Sequence, residues 1–451
     1  MLFRSGPKGK GQFKEIGWDE ALDRVADAFK AAAAKHGPET VWPYYYAGTM
    51  GLVQRDGIHR LRHVMKYSGQ DSTICIALTD AGWLAGHGVK RGLDPREMQD
   101  SDLIVMWGGN PVATQVNVMT HVSTARKERG AKLVHIDVYR NGTAEAADIF
   151  IMVRPGTDGA LAAAVGHVLL KEGFADRAYL AKYTDFSPEV EAHYATRTPE
   201  WAEKICGVPA ADIVKLARMY AGTKPAALKA SWAPGRNAYG EQYNRMAAAL
   251  QAITGNIGVL GGCAEGVGKA WHAEGVAYPY DQYSNVWYAS IKSDRWAHLV
   301  LNYPNVKREE VGLWPRADGT DGQIPNVKAI FWQGSDWFNQ LTNINKEIQA
   351  IDKLELVVCM DSTITPSGLW ADVLFPIATH FERHDVALPW YKGHYYIHRP
   401  KVIEPLWESK TDFQVFTELA YRLGFGPAFN PKATRDYFFD DTAVDEAYLR
   451  D

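Results

Sequence analysis

The feature that most constrains this chain is a recurring unit: a short apolar run that stops in a glycine-rich or polar loop and gives way to a helical period. Asp102 to Trp107 (DLIVMW) ends in Gly108-Gly109-Asn110-Pro111. A helix is expected over Val116 to Arg129, and a second apolar run covers Lys132 to Val138 (KLVHIDV). A third, Asp148 to Val153, runs into RPGTD, after which Gly159 to Glu172 has helical periodicity. Continuous apolar runs mark strands buried on both faces, as in parallel sheets. Strand–helix–strand repeated predicts a doubly wound parallel sheet. The pattern returns with Val327 to Gln333, a helix near Asn345 to Asp352, Leu354 to Met360, Ala371 to Pro376, and a helix over Asp412 to Leu423 ending at Gly424. An Ala-rich helix is expected over Asp19 to Lys35. From Gly261 to Asn302 neither period is clear, so that stretch reads as irregular, a wall of an active-site funnel. The expected class is α/β, with two doubly wound, mostly parallel sheet domains.

A chain of 451 residues exceeds one ordinary core. Its net charge of −4, with no long basic run, argues against nucleic acid as a partner. The four cysteines, Cys75, Cys206, Cys263 and Cys359, form no C-x-x-C pair and no zinc or cluster spacing. The run Ala160 to Leu170 is broken by Gly166 and His167, so direct membrane insertion is not expected. The opening MLFRSGPKGKGQF has no apolar signal-peptide core.

Ligands of parallel sheets lie beyond the carboxyl ends of strands, where loop amides and helix N-termini face outward. Five loops have suitable chemistry. Gly108, Gly109 and Asn110 let backbone approach a phosphate. The loop after Asp137 carries Arg140, Asn141 and Thr143, and Arg154 to Asp158 adds a cation, then Thr157 and the Asp158 carboxylate. Gln333-Gly334-Ser335-Asp336 and Asp361-Ser362-Thr363 hold the equivalent places in the second sheet. Taken singly, each has a plain structural reading as a turn or helix cap. Neither G-x-G-x-x-G nor G-x-x-x-x-G-K-[ST] is present, so a standard Rossmann or P-loop site has no support.

The order of the loops adds weight. GWDEAL at 17–22, DLIVMWGGNP at 102–111, HIDVYRNGTAEAAD at 135–148, RPGTD at 154–158, TGNIGVLGG at 254–262 and ADVLFPIATHFER at 371–383 follow one another. From about Phe13 to Phe425 this series resembles the molybdopterin oxidoreductases of the dimethyl sulfoxide reductase family. The resemblance implies a bis-molybdopterin guanine dinucleotide holding molybdenum or tungsten, with one nucleotide per α/β domain. It implies that Gly108, Asn110, Asp137, Arg140, Thr157 and Asp158 hold the first nucleotide, and that Gly334, Ser335, Asp361 and Thr363 hold the second. The domains it implies are 14–70, the first part of a discontinuous α/β domain, 71–267, a Rossmann-like domain, and 268–430, the funnel segment and the rest of the discontinuous domain.

Family members commonly add one protein ligand to the metal shortly before an Ala-Gly pair. Here Cys75 lies six residues before Ala81-Gly82, the spacing of the formate dehydrogenase-like members. A thiolate is a soft donor suited to a sulfur-rich metal centre. The resemblance therefore makes Cys75 the catalytic metal ligand, with Asp80 the second candidate. By residue type alone Cys75 would be a buried, inert thiol. Cys206, Cys263 and Cys359 read as structural. His380 and His384 stand four apart without the glutamate of H-E-x-x-H, which speaks against zinc. Glu382 reads as a structural or cofactor-loop residue. The clusters at Trp42 to Tyr46 and Tyr278 to Tyr288 read as core packing or as a funnel lining for an organic substrate.

The chain departs from the family pattern in three places. No four cysteines precede Trp18, so the [4Fe–4S] cluster expected in the full-length family is not ligated by this chain. The sequence stops near Gly424 plus a short acidic tail, which suggests a truncated reading frame or a subunit completed by partner chains, an iron–sulfur electron-transfer subunit among them. Ile76 stands where formate dehydrogenases have His, and Ala264 to Ala270 lacks their arginine, which argues against formate. The expected activity is oxygen-atom or hydride-equivalent transfer on a small molecule. The alternatives are a cofactor-free structural subunit, an inactive fragment, or a non-redox hydratase or transhydroxylase of the same family.

Overall fold

A computed structural model of the chain describes residues 1–48, 50–71, 74–88, 94–262, 289–311, 313, 323–387 and 397–430. The chain divides into two compact units. Met1–Ile74, Gly275–Leu388 and Tyr396–Asp451 make the first; Cys75–Glu274 and Pro389–Tyr395 make the second.

The second unit is built on a four-stranded parallel sheet in the order Ile149–Met152, Lys132–Asp137, Leu103–Trp107, Ala226–Ala230. Every residue of Leu103–Trp107 and of Ala226–Ala230 is buried, as central strands covered on both faces require. Leu103, Val105 and Trp107 face the helices Asp158–Lys171 and Glu241–Ile253, while Ile104 and Met106 face Val118, Val122 and Ala125 of the helix Val116–Arg129. The chain moves outward from Leu103–Trp107 through two strands, then returns to place Ala226–Ala230 on the other side of its first strand. The loops after those two strands therefore part in opposite directions, which opens a switch point.

The first unit carries a six-stranded sheet in the order Phe13–Glu15, Leu2–Arg4, Val373–Pro376, Leu356–Asp361, Ala329–Gln333, Val41–Tyr45. The last four are mutually parallel, and Leu2 pairs antiparallel with Leu374. One face is covered by Leu22, Val25 and Phe29 of the helix Trp18–His36 and by Val415, Phe416 and Leu419 of the helix Asp412–Arg422. Thr411 and Gln414 close a capping box on the second helix, which satisfies the amides that its first turn leaves open. The other face meets Trp42, Trp296, Trp332 and Trp337 with Ala350 and Ile351.

One expectation is corrected. Within Gly261–Asn302, residues 263–288 lie outside the described residues, and with them Cys263, Ala264 to Ala270 and the Tyr278 to Tyr288 cluster. The remainder is regular: Ser290–Lys292 pairs in parallel with Gly69–Asp71, and the helix Trp296–Asn302 buries Trp296 and Leu299. A helix of 7 residues is too short for its period to stand out in sequence.

Glu347 lies on the helix Ile344–Ile351 and is only 4% exposed. Burial pushes its carboxyl from 4.5 up to about 8, and the nearby Trp296 indole pulls it down by less. A raised folded-state value means that the protonated acid is the stable occupant. Its contribution is complete below pH 4.5 and is lost as pH climbs toward about 8, an effect on the order of 5 kcal/mol. We expect Glu347→Gln to melt at a nearly constant temperature between pH 5 and pH 8.5 while the wild type falls behind it. A gap between the two that does not widen with pH would show that Glu347 ionises like a surface carboxylate.

Candidate functional site

In the second unit the residues expected to hold a ligand stand at the carboxyl ends of adjacent strands. Gly108 follows Trp107 with φ +69 and its amide donates to the Ile136 carbonyl at 2.8 Å. The Asn110 side-chain oxygen accepts from the Thr143 hydroxyl at 2.8 Å and its amide at 3.2 Å, which ties the first loop to the second. Asp137 accepts from the Val138 amide at 2.7 Å and the Asn141 side chain at 2.9 Å, with His135 Nε2 3.5 Å away. Burial raises the Asp137 carboxyl, but His135, Val138 and Asn141 together outweigh it and hold the group below its usual range. Arg140 is exposed, donates to Glu145 at 2.7 Å and lies over the Phe150 ring.

Thr157 bonds back to the Arg154 carbonyl at 2.6 Å, while Arg154 reaches the Ile205 carbonyl. Asp158 opens the helix Asp158–Lys171 and is 3% exposed; its Oδ1 accepts from the Trp107 indole at 2.9 Å. Burial raises its carboxyl above the ordinary range. One oxygen of Asp158 is therefore engaged inside the unit.

No sequence signal marks the loop Ser231–Asn237, which follows the strand Ala226–Ala230. It closes on the first loop at the switch point. A Cβ at Gly108 would lie 2.3 Å from Pro234 Cδ, and one at Gly109 would lie 2.4 Å from Ser231 Oγ. The same turn reaches Cys75: Arg236 Nε donates to the Cys75 carbonyl at 3.1 Å. Cys75 is half-buried, just ahead of the helix Ala77–His87, and Asp80 lies in that helix's first turn. Cys75 and the Gly108 loop thus meet the same seven-residue turn within this unit.

In the first unit, Gly334 (φ +58) and Gly48 (φ +47) face each other so closely that a Cβ on Gly334 would stand 3.3 Å from Gly48 Cα. Ser335 is buried and donates to Gln340 at 2.7 Å; Asp361 accepts from the Ser362 amide at 2.8 Å, and burial raises its carboxyl. Thr363 is exposed beyond it. Beneath these loops Gln333 donates to the Gln54 carbonyl at 3.2 Å and to Asp412, which pairs with the buried Arg383. Glu382 accepts from the Thr379 and Leu406 amides, a loop-fixing role. His380 and His384 do not share a helix, and no cluster of three or more metal-binding side chains occurs among the described residues. None of the described helices is long and apolar enough to cross a membrane. Cys206 and Cys359 are buried in their cores.

Residues 2–422 match the family model of the molybdopterin oxidoreductases. The probable oxidoreductase YoaE of Bacillus subtilis (strain 168) is 31% identical over 94% of this chain and 60% of that protein. The dimethyl sulfoxide reductase DmsA of Escherichia coli (strain K12) is 31% identical over 96% of this chain and 57% of that protein. The dimethyl sulfoxide/trimethylamine N-oxide reductase of Rhodobacter capsulatus is 29% identical over 97% of this chain and 57% of its own length. The chain therefore spans 57–60% of the length of these three relatives. Among solved structures, acetylene hydratase from Pelobacter acetylenicus superposes with a TM-score of 0.77 at 22% identity, over 96% of this chain and 62% of that one, which shows a shared fold.

The contact at the switch point sets an order of tolerance. Gly108→Ala must adopt a left-handed backbone and displace a proline ring, costing about 2–4 kcal/mol in all. Gly109→Ala keeps an ordinary backbone but meets Ser231 at Oγ and, at 2.8 Å, at Cβ, and should cost less, about 1–2 kcal/mol. Denaturant midpoints of the two variants measure the difference; equal midpoints would mean that the two loops are not in contact.

Proposed function

This chain belongs to the molybdopterin oxidoreductase family, and from that premise we propose that it holds molybdenum or tungsten through a bis-pterin guanine dinucleotide and transfers an oxygen atom or a hydride equivalent on a small substrate. The observation that carries this reading is the junction at the switch point of the second unit. There the loop expected to bind phosphate and the residue expected to ligate the metal are fastened to one turn, Ser231–Asn237.

The residues present suit the group. Gly108 and Gly334 stand at strand ends with positive φ and no side chain, so backbone amides there can close on a pyrophosphate. Asp137 and Asp361 put carboxylates at the same edges for guanine donors, and Asp158 adds one oxygen beyond the one bound to Trp107. Asn110, Arg140 and Thr157 extend the first site, as Ser335 and Thr363 extend the second. Once bound, the metal supplies two-electron chemistry, which the protein tunes and positions. Cys75 contributes a soft thiolate donor held by its own carbonyl. An iron–sulfur electron-transfer subunit would supply or remove the electrons.

The test is metal and pterin content of the purified chain, by elemental mass spectrometry and pterin oxidation fluorescence. We expect near-stoichiometric molybdenum or tungsten with roughly two pterins per chain. Cys75→Ala should retain pterin but change the metal-centre spectrum, while Asp80→Asn leaves that spectrum unaltered. No metal and no pterin, in cells that make the cofactor, would refute the catalytic reading.

A further inference from the structure

The helices Ala77–His87 and Glu241–Ile253 of the second unit meet along a tight seam. A Cβ on Gly82 would fall 2.3 Å from the Glu241 carbonyl oxygen, and one on Gly86 would fall 2.8 Å from Ala248 Cβ. Thr79, Trp83 and His87 stand four residues apart on the first of these helices, so its 3.6-residue turn puts all three on one face. Thr79 and Asn244 are fully buried, Trp83 nearly so, and His87 is half-buried at the far end. Thr79 Oγ1, the Trp83 indole nitrogen, His87 Nε2 and both amide atoms of Asn244 are shielded from solvent, with no hydrogen-bond partner among the described residues. Glu241 Oε2 adds another at the start of the facing helix. Buried polar groups without partners are rare in native proteins, and these fall on successive turns of one helix.

The donor set names the partner they require. An indole only donates, a carboxylate only accepts, and a hydroxyl, an amide and an imidazole do both, so the partner must both give and take a hydrogen bond. Spacing limits its size. Thr79 Oγ1 and Asn244 Oδ1 lie 1.9 and 3.1 Å from the one point where Gly235 would carry a Cβ. The Trp83 and His87 rings are 5.0 Å apart, a gap that one water spans with two hydrogen bonds of roughly 2.8 Å.

We propose that water held in file between these helices carries protons between His87 and the turn Ser231–Asn237, which meets both Thr79 and Cys75. The chemistry read for the site requires such traffic. Taking one oxygen atom from a substrate with two electrons from the iron–sulfur subunit consumes two protons and releases one water molecule. A proton enters at the His87 imidazole, passes along waters anchored by the Trp83 indole and the Asn244 amide, and crosses the Thr79 hydroxyl, each bond to hydrogen breaking as the next forms. Burial lowers the His87 imidazole below its usual range, so at neutral pH the ring is mostly uncharged and can take a proton from solvent and hand it inward. What the protons meet beyond Thr79 rests on the reading of Cys75 as metal ligand; the file itself does not.

Exchange of the Trp83 indole N–H with deuterated solvent tests the file in the full chain as purified. It is read by NMR on protein carrying isotope-labelled tryptophan and assigned with Trp83→Phe. The Trp107 indole, bonded to Asp158 in the same unit, is the dry reference. Trp83 should exchange about a hundredfold faster than Trp107, and His87→Phe or Thr79→Val should slow it about tenfold by removing a proton carrier. Thr79→Ser, which keeps the hydroxyl, should match the wild type. A Trp83 indole as slow as that of Trp107 would mean a dry seam, and one indifferent to both His87→Phe and Thr79→Val would mean that solvent arrives by another route; either overturns the proposal. In the loaded enzyme, His87→Ala with unchanged metal content should lower kcat for trimethylamine N-oxide about tenfold at unchanged KM, and imidazole in solution should restore it. A kcat equal to wild type, or a loss that imidazole does not relieve, would overturn the delivery role. If the chain binds no metal, the oxidoreductase reading fails while indole exchange still decides the file.

Discussion

Everything at the working edge of the second unit depends on close approaches to glycine backbone where no Cβ can stand. Gly108 against Pro234, Gly235 against Thr79 and Gly240, and Gly82 against the Glu241 carbonyl form one chain of contacts. Each would be broken by a single methyl group. A parallel sheet whose strand order reverses must splay two loops apart, and a ligand site forms only if something holds them at a fixed separation. Here steric exclusion does so. It fixes the spacing of the loops by contact alone and leaves the second oxygen of Asp158 outside that packing.

The first unit solves the same problem with charge. Gln333, at the end of a central strand, bonds to the loop after Val41–Tyr45 through Gln54 and to the cap of Asp412–Arg422 through Asp412. Arg383 neutralises Asp412, while Asp385 accepts from the Val53 and Gln54 amides. Burial raises Asp385 and lowers Arg383, so the network is held together by mutual pairing rather than by solvent. Removing one partner leaves its neighbour charged and buried, which is the costly direction of failure.

The strands with continuous apolar runs were legible because burial on both faces leaves an unmistakable pattern, and Leu103–Trp107 and Leu356–Asp361 fall within two residues of where the runs place them. The helix Val116–Arg129 was read to its ends, since Gly130 in the left-handed region stops it. Ala226–Ala230 was not legible: three alanines and the buried Lys229 carry no strand signature, and only packing between neighbours makes that segment a strand. Missing it concealed the loop Ser231–Asn237, and with it Arg236, whose bond to Cys75 links residues 161 apart in sequence. The pairing of Asp158 with Trp107 was hidden for the same reason, because a side chain's partner across 51 residues leaves no local trace.

The pairing of Leu2 with Leu374, and of Val41–Tyr45 with Ala329–Gln333, has a consequence for how the molecule is made. Synthesis runs from the amino end, so the helix Trp18–His36 leaves the ribosome with much of its Leu22, Val25 and Phe29 face uncovered, long before Ala329–Gln333 and Leu356–Asp361 exist. The four strands of the second unit all lie between residues 103 and 230, so that sheet can close while the first unit still waits. At about 5–20 residues per second the wait is on the order of tens of seconds. During that interval the helix Trp18–His36 offers an apolar face for a chaperone to hold, while the strands of the second unit's sheet are all already made.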